Sequence, residues 1–161
     1  MKLYMKQKVF SWADKFTVKD AYGQDRYVVE GELFSWGKKL HVYNISGTEV
    51  AFIQQKVFSW MPRYQVFING QQAAEIVKEF TFLRPRYSIQ GPNWEASGSF
   101  WEHDYAITSG GRQIVTIHKE WMTWGDCYEL DVERQEDTVL ALAVVLAIDC
   151  VQEAQASANA N

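Results

Sequence analysis

Apolar and polar residues alternate with period two over most of the chain, in short runs broken by turn-forming residues. Period-two alternation rich in aromatic and β-branched residues is the mark of a half-buried strand. The runs are organised by a repeat. Phe-Ser-Trp occurs at Phe10-Ser11-Trp12, Phe34-Ser35-Trp36 and Phe58-Ser59-Trp60, and looser copies follow at Phe80-Thr81-Phe82, Phe100-Trp101 and Trp121-Met122-Thr123-Trp124. The copies recur about every 20–24 residues, so one supersecondary unit is used repeatedly. In each unit the aromatic pair is followed by two to four turn residues and a new alternating run: Phe16-x-Val18, Leu40-x-Val42, Tyr64-x-Val66, Tyr87-x-Ile89, Tyr105-x-Ile107, Tyr128-x-Leu130. The spacing suits hairpin loops, with turns placed at residues 13–15, 37–39, 61–63, 83–86, 103–104 and 125–127. Six units make about twelve strands. Asn69-Gly70, after Val66-Phe67-Ile68, is the clearest hairpin turn between units.

The last segment departs from alternation. Glu136-Asp137-Thr138 reads as a helix start with Asp137 or Thr138 as cap, and Val139 to Ile148 is apolar on every side. Such a helix is buried in protein or in a membrane, and the fully apolar stretch falls short of the roughly 20 residues of a span. Burial in protein is the expectation. A twelve-stranded sheet curls or closes, and a barrel of that size is too wide for its own side chains to fill. The helix, about 28 Å long from Asp137 to Gln155 at 1.5 Å per residue, supplies a filler of the right shape. The pattern predicts a mainly β fold: an antiparallel twelve-stranded barrel of sequential hairpins around a central C-terminal helix. Phe10, Trp12, Phe34, Trp36, Phe58 and Trp60, at one parity, are expected to face that helix. Residues 1–154 form one domain, and 155–161 a disordered tail.

The opening Met5-Lys6-Gln7-Lys8-Val9-Phe10-Ser11-Trp12, its echo Gln54-Gln55-Lys56-Val57-Phe58-Ser59-Trp60, Gly98-Ser99-Phe100-Trp101-Glu102-His103-Asp104-Tyr105, Ile117-His118-Lys119-Glu120-Trp121 and the helix from Glu136 to Asp149 resemble a bacterial LURP-one-related protein of the tubby C-terminal-like superfamily. The resemblance covers the chain to about Val151 and implies the same barrel around a hydrophobic helix. On function it implies less. Tubby domains bind phosphoinositide head groups, scramblases of similar fold act at membranes, and plant relatives are linked to defence. The cysteine-rich lipidation cluster of scramblases is missing, so a scramblase role is not expected.

Charge and chemistry narrow the reading. The 161 residues carry a net charge of −4 with a pI near 5.4, which argues against a nucleic-acid binder. Cys127 and Cys150 form no metal motif, and are read as reduced thiols. The N-terminus shows no signal-peptide core, so a cytoplasmic location is expected, peripheral to the membrane if lipid is bound. Lys38, Lys39, Arg63, Arg84 and Arg86 fall at hairpin turns. Gathered at one rim, they could hold an anionic head group or phosphate. Acidic Asp14, Asp104 and Asp126 share those turns and weaken the field, and the alternative is that the charges only keep loops solvated. Glu102-His103-Asp104 reads as a turn rather than a metal site, because neighbours on a strand point to opposite faces. His41, between Leu40 and Val42, belongs on an outer face. Trp94 and Trp101 stand outside the aromatic parity, and Trp94 is placed in a loop covering one end of the barrel. No catalytic elbow or phosphate-cradling glycine loop is present. The expectation is a non-enzymatic binding module without cofactor or metal, with anionic phospholipid or a phosphorylated molecule as ligand. The alternative is a protein-interaction scaffold that binds no lipid.

Overall fold

The computed structural model describes residues 1–6, 15–32 and 35–160. Twelve strands follow in order: β1 (Lys2–Lys6), β2 (Lys15–Lys19), β3 (Asp25–Gly31), β4 (Lys39–Asn44), β5 (Glu49–Gln55), β6 (Arg63–Ile68), β7 (Gln71–Glu79), β8 (Arg86–Gln90), β9 (Trp94–Ser99), β10 (Asp104–Ser109), β11 (Arg112–Met122) and β12 (Gly125–Val132). A 3-10 turn, Gln135–Asp137, leads into α1 (Thr138–Asn159). Each strand pairs antiparallel with its sequence neighbours. β1 closes the barrel against β12, with Lys2 opposite Asp131 and Lys6 opposite Cys127. Among the described residues the ring completes between β1 and β2 at Tyr4 opposite Lys19.

The alternation does what it predicted. Leu40, Val42, Ala51, Ile53, Val66, Ile76, Ile89, Ile107, Ile117 and Leu130 point inward and are buried. They meet α1, whose residues from Ala141 to Ile148 have no exposed surface. By length and composition α1 could cross a membrane, but its apolar stretch is occupied by the barrel wall. Three alanines, Ala141, Ala143 and Ala147, thin the helix so that the wall can close around it. Asn69 (φ 50°) and Gly70 (φ 79°) make the two-residue turn between Ile68 and Gln71, a conformation that Asn-Gly accepts with little strain.

Four expectations are corrected. Trp36, Phe58 and Trp60 do not face the helix; all three are exposed. Phe10, Trp12 and Phe34 lie outside the described residues. The reason is that β5 ends at Gln55 and β6 begins at Arg63, so the Phe58-Trp60 pair sits in the connection and not on a strand. The polar residue between the rings turns inward to its own loop instead. Ser35 Oγ donates to the Gly37 carbonyl at 2.5 Å, and Thr81 Oγ1 donates to the Arg84 carbonyl. Secondly, the β11–β12 turn is Thr123-Trp124, with Met122 opposite Gly125, so Gly125-Asp126-Cys127 belongs to the strand. Thirdly, Trp94 opens β9 and is buried, with its indole inside the barrel parity shared by Ala96. Finally, the segment expected as a tail from residue 155 continues as helix through Asn159, because Ala154, Ala156 and Ala158 are strong helix formers.

Candidate functional site

Successive antiparallel strands alternate in direction, so the connections after β3, β5, β7, β9 and β11 all lie at one end of the barrel, and α1 runs toward that end. The repeat therefore sets its aromatic pairs side by side. Trp36, Phe58, Trp60, Phe80, Phe82, Leu83, Trp101 and Trp121 are exposed there, with Trp60 98% and Phe82 99% accessible. Among the described residues the opposite end shows only Tyr22 and Ile45 as exposed large apolar side chains. A monomer seldom leaves so much aromatic surface together without a use for it.

Beneath this ring the barrel mouth is sealed by a polar layer. The tyrosines that open β6, β8, β10 and β12 in the repeat, Tyr64, Tyr87, Tyr105 and Tyr128, all turn inward and are buried around the last buried turns of α1. Tyr128 donates to Asp149 Oδ2, Gln152 Nε2 donates to the Tyr87 hydroxyl at 2.8 Å, and Tyr64 faces the Cys150 thiol. His103 Nε2 comes within 3.5 Å of Asp149 Oδ1, and its ring stacks on Tyr128 with centroids 4.4 Å apart. Phe100, buried between Tyr87 and Tyr105, pins the β9–β10 loop over the mouth. Burial pushes the hydroxyls of Tyr64, Tyr87, Tyr105 and Tyr128 up, and the Asp149 carboxylate adds to this at the last three. Burial likewise raises the Cys150 thiol well above its ordinary value, so it is no nucleophile at neutral pH. Four phenols and a thiol thus stay neutral at this mouth.

The five basic residues picked out from the sequence divide into three kinds. Lys39, Arg63 and Arg86 each occupy the first outward position of a strand and each meets a carboxylate: Lys39 with Glu32 at 3.8 Å, Arg63 with Glu75 at 3.5 Å, Arg86 with Glu95 at 2.9 Å. Lys15 with Glu30 and Asp104 with His118 are further cross-strand pairs at the first position of a strand. These pairs lace neighbouring strands on the outer wall. Lys38 is half-buried at the mouth, where burial pulls its ammonium down despite Cys150 and Glu153 nearby. Arg84 lies on the exposed β7–β8 loop among Phe80, Phe82 and Leu83. The structure thus does not gather the five into one pocket. Among the described residues no group of three or more His, Cys, Asp or Glu is arranged to hold a metal ion. The exposed rings were the part that sequence reasoning missed.

The comparisons with known proteins agree with this architecture. The chain is 36% identical over 151 residues to the uncharacterized protein YxjI of Bacillus subtilis (strain 168), a match that spans 94% of this chain and 93% of the relative. In three dimensions it is similar to a protein from Arabidopsis thaliana solved by X-ray crystallography, with a TM-score of 0.63 over 92% of this chain and 90% of that one. At 15% identity that likeness speaks for the fold alone. The sequence pattern of the LURP-one-related family matches residues 1–149, and with a twelve-stranded barrel closed on its own helix the chain belongs to that family.

Proposed function

We propose that the protein is a non-enzymatic membrane-surface module that lays the aromatic end of its barrel on an anionic bilayer from the cytoplasmic side. The observation that carries this reading is the set of protruding rings at one end only. Trp and Phe on separate loop tips suit the headgroup region, where an amphipathic ring is apolar on one side and wet on the other. A flat, continuous patch would suit a protein partner better. Basic Lys38 and Arg84 stand at the same end and add electrostatic attraction of about 1 kcal/mol for each charge near an anionic surface. Lys39, Lys56, Arg63 and Arg86 contribute less, because carboxylates already hold them.

Flotation with anionic and neutral liposomes, at low and high salt, tests the reading. Trp60→Ser and Phe82→Ser remove side chains that touch almost nothing in the protein. If half of a ring of roughly 200 Å² enters the interface, each substitution costs up to about 2.5 kcal/mol of partitioning, or roughly 70-fold. A variant with Lys38, Lys39, Arg84 and Arg86 changed to Ser should lose the salt-sensitive part only. Flotation of the wild type that both sets of substitutions leave intact overturns the assignment of this surface. No flotation under any condition leaves a protein-interaction scaffold as the reading.

A further inference from the structure

On the outer wall of β4, β5 and β6, near the end opposite the exposed rings, a cleft of about 340 Å³ lies over Phe52 and Phe67. Its size falls within the range of small-molecule sites. The floor is a row set by register. His41 stands opposite Phe52, and Phe52 opposite Phe67, with centroids 4.8 and 5.9 Å apart. The Asn69-Gly70 turn and Gln54 complete the rim.

The Glu49 and Gln54 side chains beside this floor offer acceptors. His41 is clamped between two carboxylates, Nε2 to Glu32 Oε1 at 2.7 Å and Nδ1 to Glu49 Oε1. Burial draws the imidazole down, but Glu49 and Glu32 outweigh it and hold the ring toward its protonated form. Both ring N–H groups are thereby spent on carboxylates. Gln54 Nε2 donates to Gln65 at 3.0 Å, and Gln65 donates on to Gln72 at 3.4 Å, so the Gln54 amide oxygen is left as the free end of the chain. Lys39 also holds Glu32, 3.8 Å away, and Glu32 does not line the cleft, so Glu49 is the carboxylate left beside the aromatic floor. We infer that this cleft binds a small organic ammonium, its head group at Glu49 and its apolar stem on Phe52 and Phe67.

The chemistry is that of ammonium recognition elsewhere: ring faces attract a cation, and a carboxylate fixes it. An anion of the same size meets the Glu49 carboxylate and the ring faces, both unfavourable. The cleft and the exposed rings lie on different parts of the barrel, so neither reading depends on the other.

The test is an NMR titration of the whole protein with n-butylammonium, with butyrate and n-butanol as probes of the same stem. The expected result is saturating shifts confined to His41, Phe52, Gln54 and Phe67 with butylammonium, none with butyrate, and weak non-saturating shifts with butanol. Glu49→Gln and, separately, Phe67→Ala should each weaken butylammonium roughly tenfold or more. Phe67→Ala leaves the His41 clamp in place, so it separates loss of the floor from release of the imidazole. Equal saturation by butanol, shifts scattered over the barrel, or unchanged binding in both variants overturns the inference.

Discussion

Replacing Val144 by Asp puts the central-helix architecture under direct load. Val144 lies midway along α1 with no exposed surface, and its neighbours Ala143, Val145 and Leu146 are equally enclosed. An ionised carboxylate there is far too costly, so the cheapest folded state carries a protonated one. Holding an Asp neutral at pH 7, about 3 units above its ordinary pKa, costs about 4 kcal/mol. Losing the valine's buried surface costs about 2 kcal/mol, and burying a carboxyl without partners adds roughly another 2. The total, near 8 kcal/mol, rivals the whole stability of a domain this size. Asp149, five residues further on, shows what such a group needs: the Tyr128 hydroxyl and the His103 ring are in place for it. Among the described residues, the core around this part of α1 is built mainly of apolar side chains. Circular dichroism during thermal and urea melts should show no cooperative transition for Val144→Asp. Val144→Ala, which costs about 2–3 kcal/mol, should still unfold cooperatively at a lower midpoint. A Val144→Asp protein that melts cooperatively within a few degrees of the wild type refutes the placement of this helix in the lumen.

Two further outcomes follow from other parts of the barrel. Burial pushes the Glu129 carboxyl up, but the Tyr4 hydroxyl (2.5 Å) and Lys2 ammonium (2.9 Å) outweigh it and hold it below the ordinary value. A folded pKa below the unfolded one gives stability that is present above about pH 4.3 and lost as pH falls through the lowered value. Urea melts of Tyr4→Phe should therefore fall about 1–2 kcal/mol below wild type at pH 7, with the gap closing toward pH 3; a gap that widens in acid contradicts the pairing. Gly91 has φ 108°, and a Cβ there would lie 2.3 Å from the Ala73 carbonyl oxygen, whereas nothing lies within 4 Å of a Cβ at Gly47. Gly91→Ala should lose at least about 2 kcal/mol by thermal melting and Gly47→Ala about 1; equal losses would mean that the backbone approach at Gly91 is not real.

Much of the architecture was legible because it is written in periods. Six copies of one unit, runs such as Leu40-x-Val42 and Tyr64-x-Val66, and a lone helix apolar all round suffice to specify a closed barrel with a filled lumen. The aromatic pairs misled because Phe58-x-Trp60 keeps the strand's own period of two after the strand has ended. Only the hydrogen bonds of Ser35 and Thr81 back to their own loops reveal the change of direction. The fate of the basic residues was hidden for a different reason. Whether Arg86 reaches Glu95, or Arg63 reaches Glu75, is decided by cross-strand register, which a linear sequence does not state. The cleft on the outer wall is hidden in the same way, since Phe52 and Phe67 are fifteen positions apart and meet only through pairing of β5 with β6.

α1 follows all twelve strands in chain order, and this order bears on how the protein is made. Of the twelve strand pairings, eleven join sequence neighbours and can form as the chain leaves the ribosome, but β1 waits for β12, and the lumen waits for residues 138–151. Until the last segment is released, the inner faces of every hairpin stand open to water. The nascent barrel is thus an extended apolar sheet with two unpaired edges, prone to aggregation by the same strands that later stabilise it. Folding of this family member is completed only once α1 has been made, and a chain that stops short of the helix is expected to be a client of chaperones rather than a smaller working barrel.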